Sequence, residues 1–179
     1  MKKVMQTKLG LGGNCEGATL ATLLGLELSE IPDFWDGIDI KTTDADESGV
    51  IYQENLNSFL KQHGYKMLNL GVTKDPTQRD INWVIEVSKA IGTKHLVAGV
   101  SPRGYMHSVI YENGELWHDP HPEGGGVIPC QLCLLIPIFK SLSEKVSITK
   151  DHLRRVTEEQ LKAFMEEKPI SDKHKFINL

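Results

Sequence analysis

A chain of 179 residues with 40% hydrophobic residues, mixed charges and a formal net charge of −4 has the size of one ordinary domain. It buries about 70% of its unfolded surface, so a core forms without cross-links, and the composition excludes disorder and a nucleic-acid-binding surface as its main business. Three cysteines, an odd count with no secretory leader in the first ten residues, argue against a disulfide framework. The longest apolar run, 133–139, is broken by Pro137 and too short to span a bilayer. The expectation is a soluble, cytoplasmic protein without a cofactor.

In chain order, the glycine-rich stretch 9–13 leads into an apolar helix through Ala18, Leu20, Ala21, Leu23 and Leu24, with Asn14 expected as N-cap and Cys15 in the first turn. Residues 29–48, including Ile31-Pro32-Asp33-Phe34-Trp35 and the acidic run 44–47, read as an irregular loop bordering a cleft. Tyr52, Leu56, Phe59 and Leu60 mark a second helix closed by Gly64, and Ile81, Val84, Ile85 and Ser88 a third. Strands are expected over 65–72, 95–100, 106–111, 115–118 and 127–139. Early helices and late strands favour an α+β fold, helices packed on an antiparallel sheet. From residue 141 the chain is more charged, and Thr157-Glu158-Glu159-Gln160 matches a capping box. The expected organisation is therefore a domain over 1–140 and a helical extension over 141–179 packed on it.

A cysteine in the first turn of a helix meets unpaired N–H groups and the helix dipole, which favour thiolate and can also bind an oxyanion. Gly12-Gly13 clears the approach to Cys15. On spacing alone, a cysteine on an apolar helix is more often a small buried hydrophobe. His107 and Asp119 lie in a hairpin closed near Glu112-Asn113-Gly114. A three-residue loop with a bulged Gly114 would set His107 opposite Asp119. A two-residue Asn-Gly turn would set Ser108 opposite Asp119 and send the carboxylate to the other face. A triad thus requires the bulged turn, whereas an edge hairpin with a solvated His and Asp requires nothing of it.

The blocks GGNCEGATLATLLGLELSEIPDFW and SPRGYMHSVIYENGELWHDPHPEGGG resemble a group of small bacterial and phage-encoded papain-like cysteine peptidases. In that group a helix-borne Cys is followed by a His at a strand start and an Asp or Asn on the next strand. The resemblance implies a papain-like fold, Cys15 as nucleophile, His107 as base and Asp119 as the acid that orients it. It also implies Gln6 as oxyanion-hole donor beside the N–H of Cys15. The substrate expected is a peptide, protein or conjugate cleaved through a thioester. An acyltransferase would use the same residues, and a non-catalytic binding or inhibitory module, such as a phage anti-defence protein, could keep the scaffold.

Other residues carry further readings. Gly13, Asn14, Trp35 in the suspected lid and His121 on the cleft rim are candidates for substrate binding. Glu16 either shapes specificity or favours the helix N-terminus, the second being preferred. His118, Asp119, His121, Cys130 and Cys133 could approximate a zinc set, but strand alternation would turn the two thiols to opposite faces, so packed cysteines and no metal are expected. Gly124-Gly125-Gly126 lacks the features of a phosphate loop and reads as a flexible turn.

Overall fold

The computed structural model describes residues 1–71 and 75–138. The expected extension over 141–179, with its capping box, lies outside the described residues, as does the far end of the strand expected over 65–72. Among the described residues, helices α1 (Cys15–Leu24), α2 (Ala45–Gln62) and α3 (Gln78–Ile91) join strands β1 (Tyr65–Leu70), β2 (His95–Val100), β3 (Met106–Glu112), β4 (Glu115–His118) and β5 (Ile128–Pro137), with a single 3-10 turn over Leu28–Glu30. The five strands form one antiparallel sheet in the order β1-β5-β2-β3-β4. The architecture is α+β.

Both faces of the sheet are covered, and the alternation along β2 shows how. Leu96 and Ala98 pack with Cys133 and with Leu23 of α1, whereas Val97 packs with Val109, Tyr111, Leu132 and Val84 of α3. A further cluster, Leu20, Phe34, Leu56, Phe59 and Leu60, ties α1 to α2 and to the 34–35 segment. Burying such a side chain contributes about 1.5–3 kcal/mol each. Leu20, Leu56 and Leu60 are wholly buried, so this cluster sets where the first turn of α1 stands.

Two local expectations fail for identifiable reasons. Asn14 occupies the N-cap position of α1 but makes no capping bond. Its Oδ1 accepts from the N–H groups of Thr7 and Lys8, and its Nδ2 donates to Thr7 Oγ1. The side chain therefore pins the preceding loop and leaves the first N–H groups of α1 unclaimed by a cap. The acidic run 44–47 is not loop: Asp44 caps α2 by accepting from the N–H of Asp46, and Asp46 and Glu47 sit in the first turn, where the dipole favours carboxylates.

β5 carries two prolines, Pro129 and the terminal Pro137, and still lies inside the sheet. Pro129 pairs with Gly99 at a register shift, and β1 joins β5 only from Leu132 onward, so the missing N–H of Pro129 faces no neighbour on that side. Gly99 is required there, since a Cβ would stand 2.1 Å from Ile128 O.

The N-terminal segment ties the two halves of the molecule together. Val4 N–H donates to Thr22 Oγ1 of α1, His118 Nε2 donates to Val4 O, and Gln6 N–H donates to Pro120 O at 3.0 Å.

Candidate active site

The hairpin that carries His107 and Asp119 closes with a two-residue turn. Glu112 pairs with Glu115, and Asn113 and Gly114 take φ of 53° and 80°, as a type I′ turn requires. The bulged turn expected from the sequence is not there. Register is corrected farther along: Tyr111 pairs with Leu116 but Ile110 pairs with His118, so Trp117 is the extra residue of a bulge. That one-residue shift returns Asp119, just past β4, to the face of His107. His107 Nε2 and Asp119 Oδ1 are 2.7 Å apart, with side-chain exposures of 1% and 7%.

Asp119 is held on every side. Oδ1 also accepts from the N–H of His121 and Oδ2 from the N–H of Gly126, both at 2.8 Å. Burial pushes its pKa up, but the bonds from His107, His121 and Gly126 prevail and hold it below the ordinary carboxylate value. Gly124, Gly125 and Gly126 all have positive φ, from 63° to 102°, which lets this loop fold back and aim an N–H at the carboxylate. A run that read as a flexible turn is a defined support. An anionic acceptor beside Nε2 assigns the proton to Nε2 and leaves Nδ1 as the basic nitrogen. Burial lowers the His107 pKa below its ordinary 6.5, opposed by Asp119 and assisted by the charge of Arg103. The ring is neutral at pH 7.

Cys15, half-buried at the start of α1, lines an open cavity of about 940 Å³ with Gln6, His107, Ser108, Glu16 and Trp35. α1 packs across β2 and β3, which brings its first turn to the strand that bears His107. The helix N-terminus does not win the thiol's proton balance. Burial raises the Cys15 pKa; the N–H of Ser108 lowers it, the Glu16 carboxylate raises it again, and the N–H groups of Glu16 and Cys15 lower it. The net direction is up, so the expectation of a ready thiolate is not met, and among the described residues no hydrogen bond joins Cys15 to His107.

The other expected site residues fall as follows. Gln6 is 7% exposed; its Nε2 donates to Lys8 O, and its Oε1 is buried without a hydrogen-bond partner. One N–H of that amide remains free of Lys8. Gly13 lines the cavity and has no room for a side chain, since a Cβ would lie 2.9 Å from Gly10 O. Asn14 and Trp35 line a neighbouring recess of about 390 Å³, and Trp35 also lines the main cavity, its Nε1 donating to Gly13 O. His121 is not on a rim. It is buried, its ring edge-on to His107 at 6.0 Å and its Nδ1 accepting from the N–H of Glu123. Cys133 is buried on the α1 face in contact with the cavity, while Cys130 Sγ donates to Ala98 O, and burial raises both pKa values.

One pair escaped the sequence. Tyr52 on α2 donates its O–H to Glu16 Oε2 at 2.5 Å, and the Trp35 ring lies 4.7 Å from that of Tyr52. Helical spacing gave Tyr52 only an apolar face, since nothing local signals a partner 36 positions away. No family model, no curated protein and no solved structure matches this chain.

Proposed function

We propose that this protein is a papain-like cysteine hydrolase that cleaves an amide, peptide or isopeptide-type bond of a peptide, protein or conjugate. The observation that carries the reading is the buried 2.7 Å pair of His107 and Asp119 at the wall of the cavity that Cys15 enters. Cys15 Sγ attacks the acyl carbon while His107 Nδ1 takes the thiol proton, and Asp119 steadies the imidazolium that results. The tetrahedral oxyanion meets the unclaimed N–H at the start of α1 and the free amide hydrogen of Gln6. Collapse passes the proton from His107 to the departing amine and leaves a thioester, which water cleaves by the same steps. Proton removal in step with attack suits a site that rests as thiol and neutral imidazole.

Alkylation tests this. Iodoacetamide at neutral pH should label Cys15 ahead of Cys130 and Cys133, and His107→Ala should slow Cys15 labelling by about 10²-fold. Equal, slow labelling of all three thiols, unchanged by His107→Ala, removes the reading. One observation favours a second reading, a binding module on the same scaffold: burial and the Glu16 carboxylate both hold Cys15 as thiol. Under that reading His107→Ala leaves labelling unaltered.

A further inference from the structure

The loop over 121–126 supports Asp119, and a side chain from outside supports the loop in turn. Gly126 N–H donates to Asp119 Oδ2 at 2.8 Å, and Gly124 N–H closes a turn on His121 O at 2.9 Å. Between these two bonds the carbonyl of Gly124 accepts from Arg103 Nη1 at 2.8 Å. Among the described residues no other side chain donates to a carbonyl of this loop. Arg103 stands in the connection from β2 to β3, which leads directly into His107. That connection is braced from within: the N–H and the Oγ of Ser101 both donate to Tyr105 O at 3.0 Å, and Gly104 N–H donates to Ser101 O at 2.9 Å. A Cβ at Gly125 would stand 3.3 Å from Pro102 Cγ and 3.7 Å from Arg103 Nη1, so the two loops are in contact there.

The rest of the guanidinium is idle. Its Nε and Nη2 are shut off from solvent and have no hydrogen-bond partner among the described residues. Packing away a permanent cation with so few bonds weakens a fold, unless the bond it does make and its charge serve the residues beside it. Both bear on the same pair. Burial first, then the charges of Arg103 and His121, lower the His107 pKa against the pull of Asp119. Gly124, Gly125 and Gly126 all have positive φ, a run that bends easily and loosens as easily. One side-chain bond in its middle decides whether the N–H of Gly126 stays on the carboxylate.

The geometry points to Arg103 as a positioning residue that clamps the 121–126 loop onto Asp119 and, through Asp119, fixes the ring of His107. The role rests on the reading of His107 and Asp119 as base and orienting acid. Arg103 itself touches no reacting atom.

Arg103→Met keeps much of the stem and removes charge and donors, whereas Arg103→Lys keeps the charge and a donor for the Gly124 carbonyl. Amide hydrogen exchange, read residue by residue by NMR, gives the first measurement. Exchange at Gly126 should quicken about tenfold or more in Arg103→Met and return most of the way in Arg103→Lys, with Val109 in the middle of β3 unchanged in both. Alkylation of Cys15 gives the second. Arg103→Met should slow it about tenfold in the native background but by less than about twofold in Asp119→Asn, because the clamp acts through a carboxylate that is no longer there. If Arg103→Met does not fold, Arg103→Gln, neutral and shorter, reads the same two quantities. Gly126 exchange unmoved by loss of the guanidinium, no recovery with lysine, or equal slowing of alkylation in both backgrounds overturns the proposal. So does an alkylation rate that falls with His107→Ala but not with Arg103→Met. The hydrolase reading fails separately: it falls if labelling ignores His107→Ala, whereas exchange at Gly126 involves no reaction of Cys15.

Discussion

The carboxylate of Asp119 accepts from an imidazole and two backbone amides, and those bonds explain why a buried acid remains charged. Replacement by asparagine keeps the shape and removes two things. The amide can turn its N–H toward His107 Nε2, which drives the proton to Nδ1 and blinds the base. The negative charge that lifts the His107 pKa against burial also goes. Asp119→Asn should therefore lower the rate of Cys15 alkylation about 10²-fold or more and shift the acid limb of its pH profile to lower pH, measured from about pH 5 to about pH 9. An unchanged limb would mean that Asp119 does not govern the proton on His107. At this scale the sequence was most informative about side chains whose chemistry is intrinsic: Cys15, His107, Asp119 and Gln6 were all nameable, and His107 and Asp119 are directly bonded. The protonation of Cys15 was not legible. It depends on how much protein surrounds the sulfur, and burial outweighs a helix N-terminus whose effect ends within one turn.

Among elements, the hairpin β3–β4 and the pairing of β2 with β5 decide the geometry. Gly99 of β2 lies opposite His107 of β3 and opposite Pro129 of β5. Gly99→Ala would drive a methyl into the Ile128 carbonyl, and neither backbone can yield without losing ladder bonds. The expected cost is about 1–3 kcal/mol, seen as a lower denaturation midpoint in urea, with Cys15 alkylation slowed because the His107 end of β3 moves. A stability equal to that of the native chain would show that β5 relaxes freely. Strand positions were visible as apolar runs bounded by turn residues, and β2 and β4 begin and end where the sequence placed them. The register was not visible. The sequence offered Asn113-Gly114 as the only point at which a residue could be gained, whereas the extra residue is Trp117, whose ring lies against Lys3 and Lys94 from other segments. A bulge set by such distant contacts leaves no local mark. The start of α2 was hidden in the same way, since helix-capping acids and loop acids have the same composition.

For the whole molecule, buried histidines couple stability to acid. His107 and His95 both have pKa values lowered by burial below the ordinary 6.5. Near that pH the unfolded chain binds more protons than the folded one, so stability rises with pH; it is complete above about 6.5 and is lost as pH falls through that value toward the folded pKa values. Asp119, lowered from 3.8, adds a second loss at still lower pH. The thermal midpoint should be flat near neutrality and should decline below about pH 6.5, and His95→Gln should make that decline shallower without altering Cys15 alkylation. An equally steep decline in the variant would remove His95 as a cause. The α+β class was legible because early helical periodicity and late strands admit few layer arrangements, but the covering of both sheet faces was not, since it depends on α3 crossing to the side opposite α1. Among the described residues no helix is long and apolar enough to cross a membrane. The segment around Val4 and Gln6 has a mechanical meaning as well. It is bonded at once to the helix that bears the sulfur and to the strand end that bears the acid. Cys15 and the His107–Asp119 pair thus belong to two layers joined by a short peptide seam, and under the proposed function whatever peels that seam open, a competing strand or a binding partner, would part the three side chains without touching any of them.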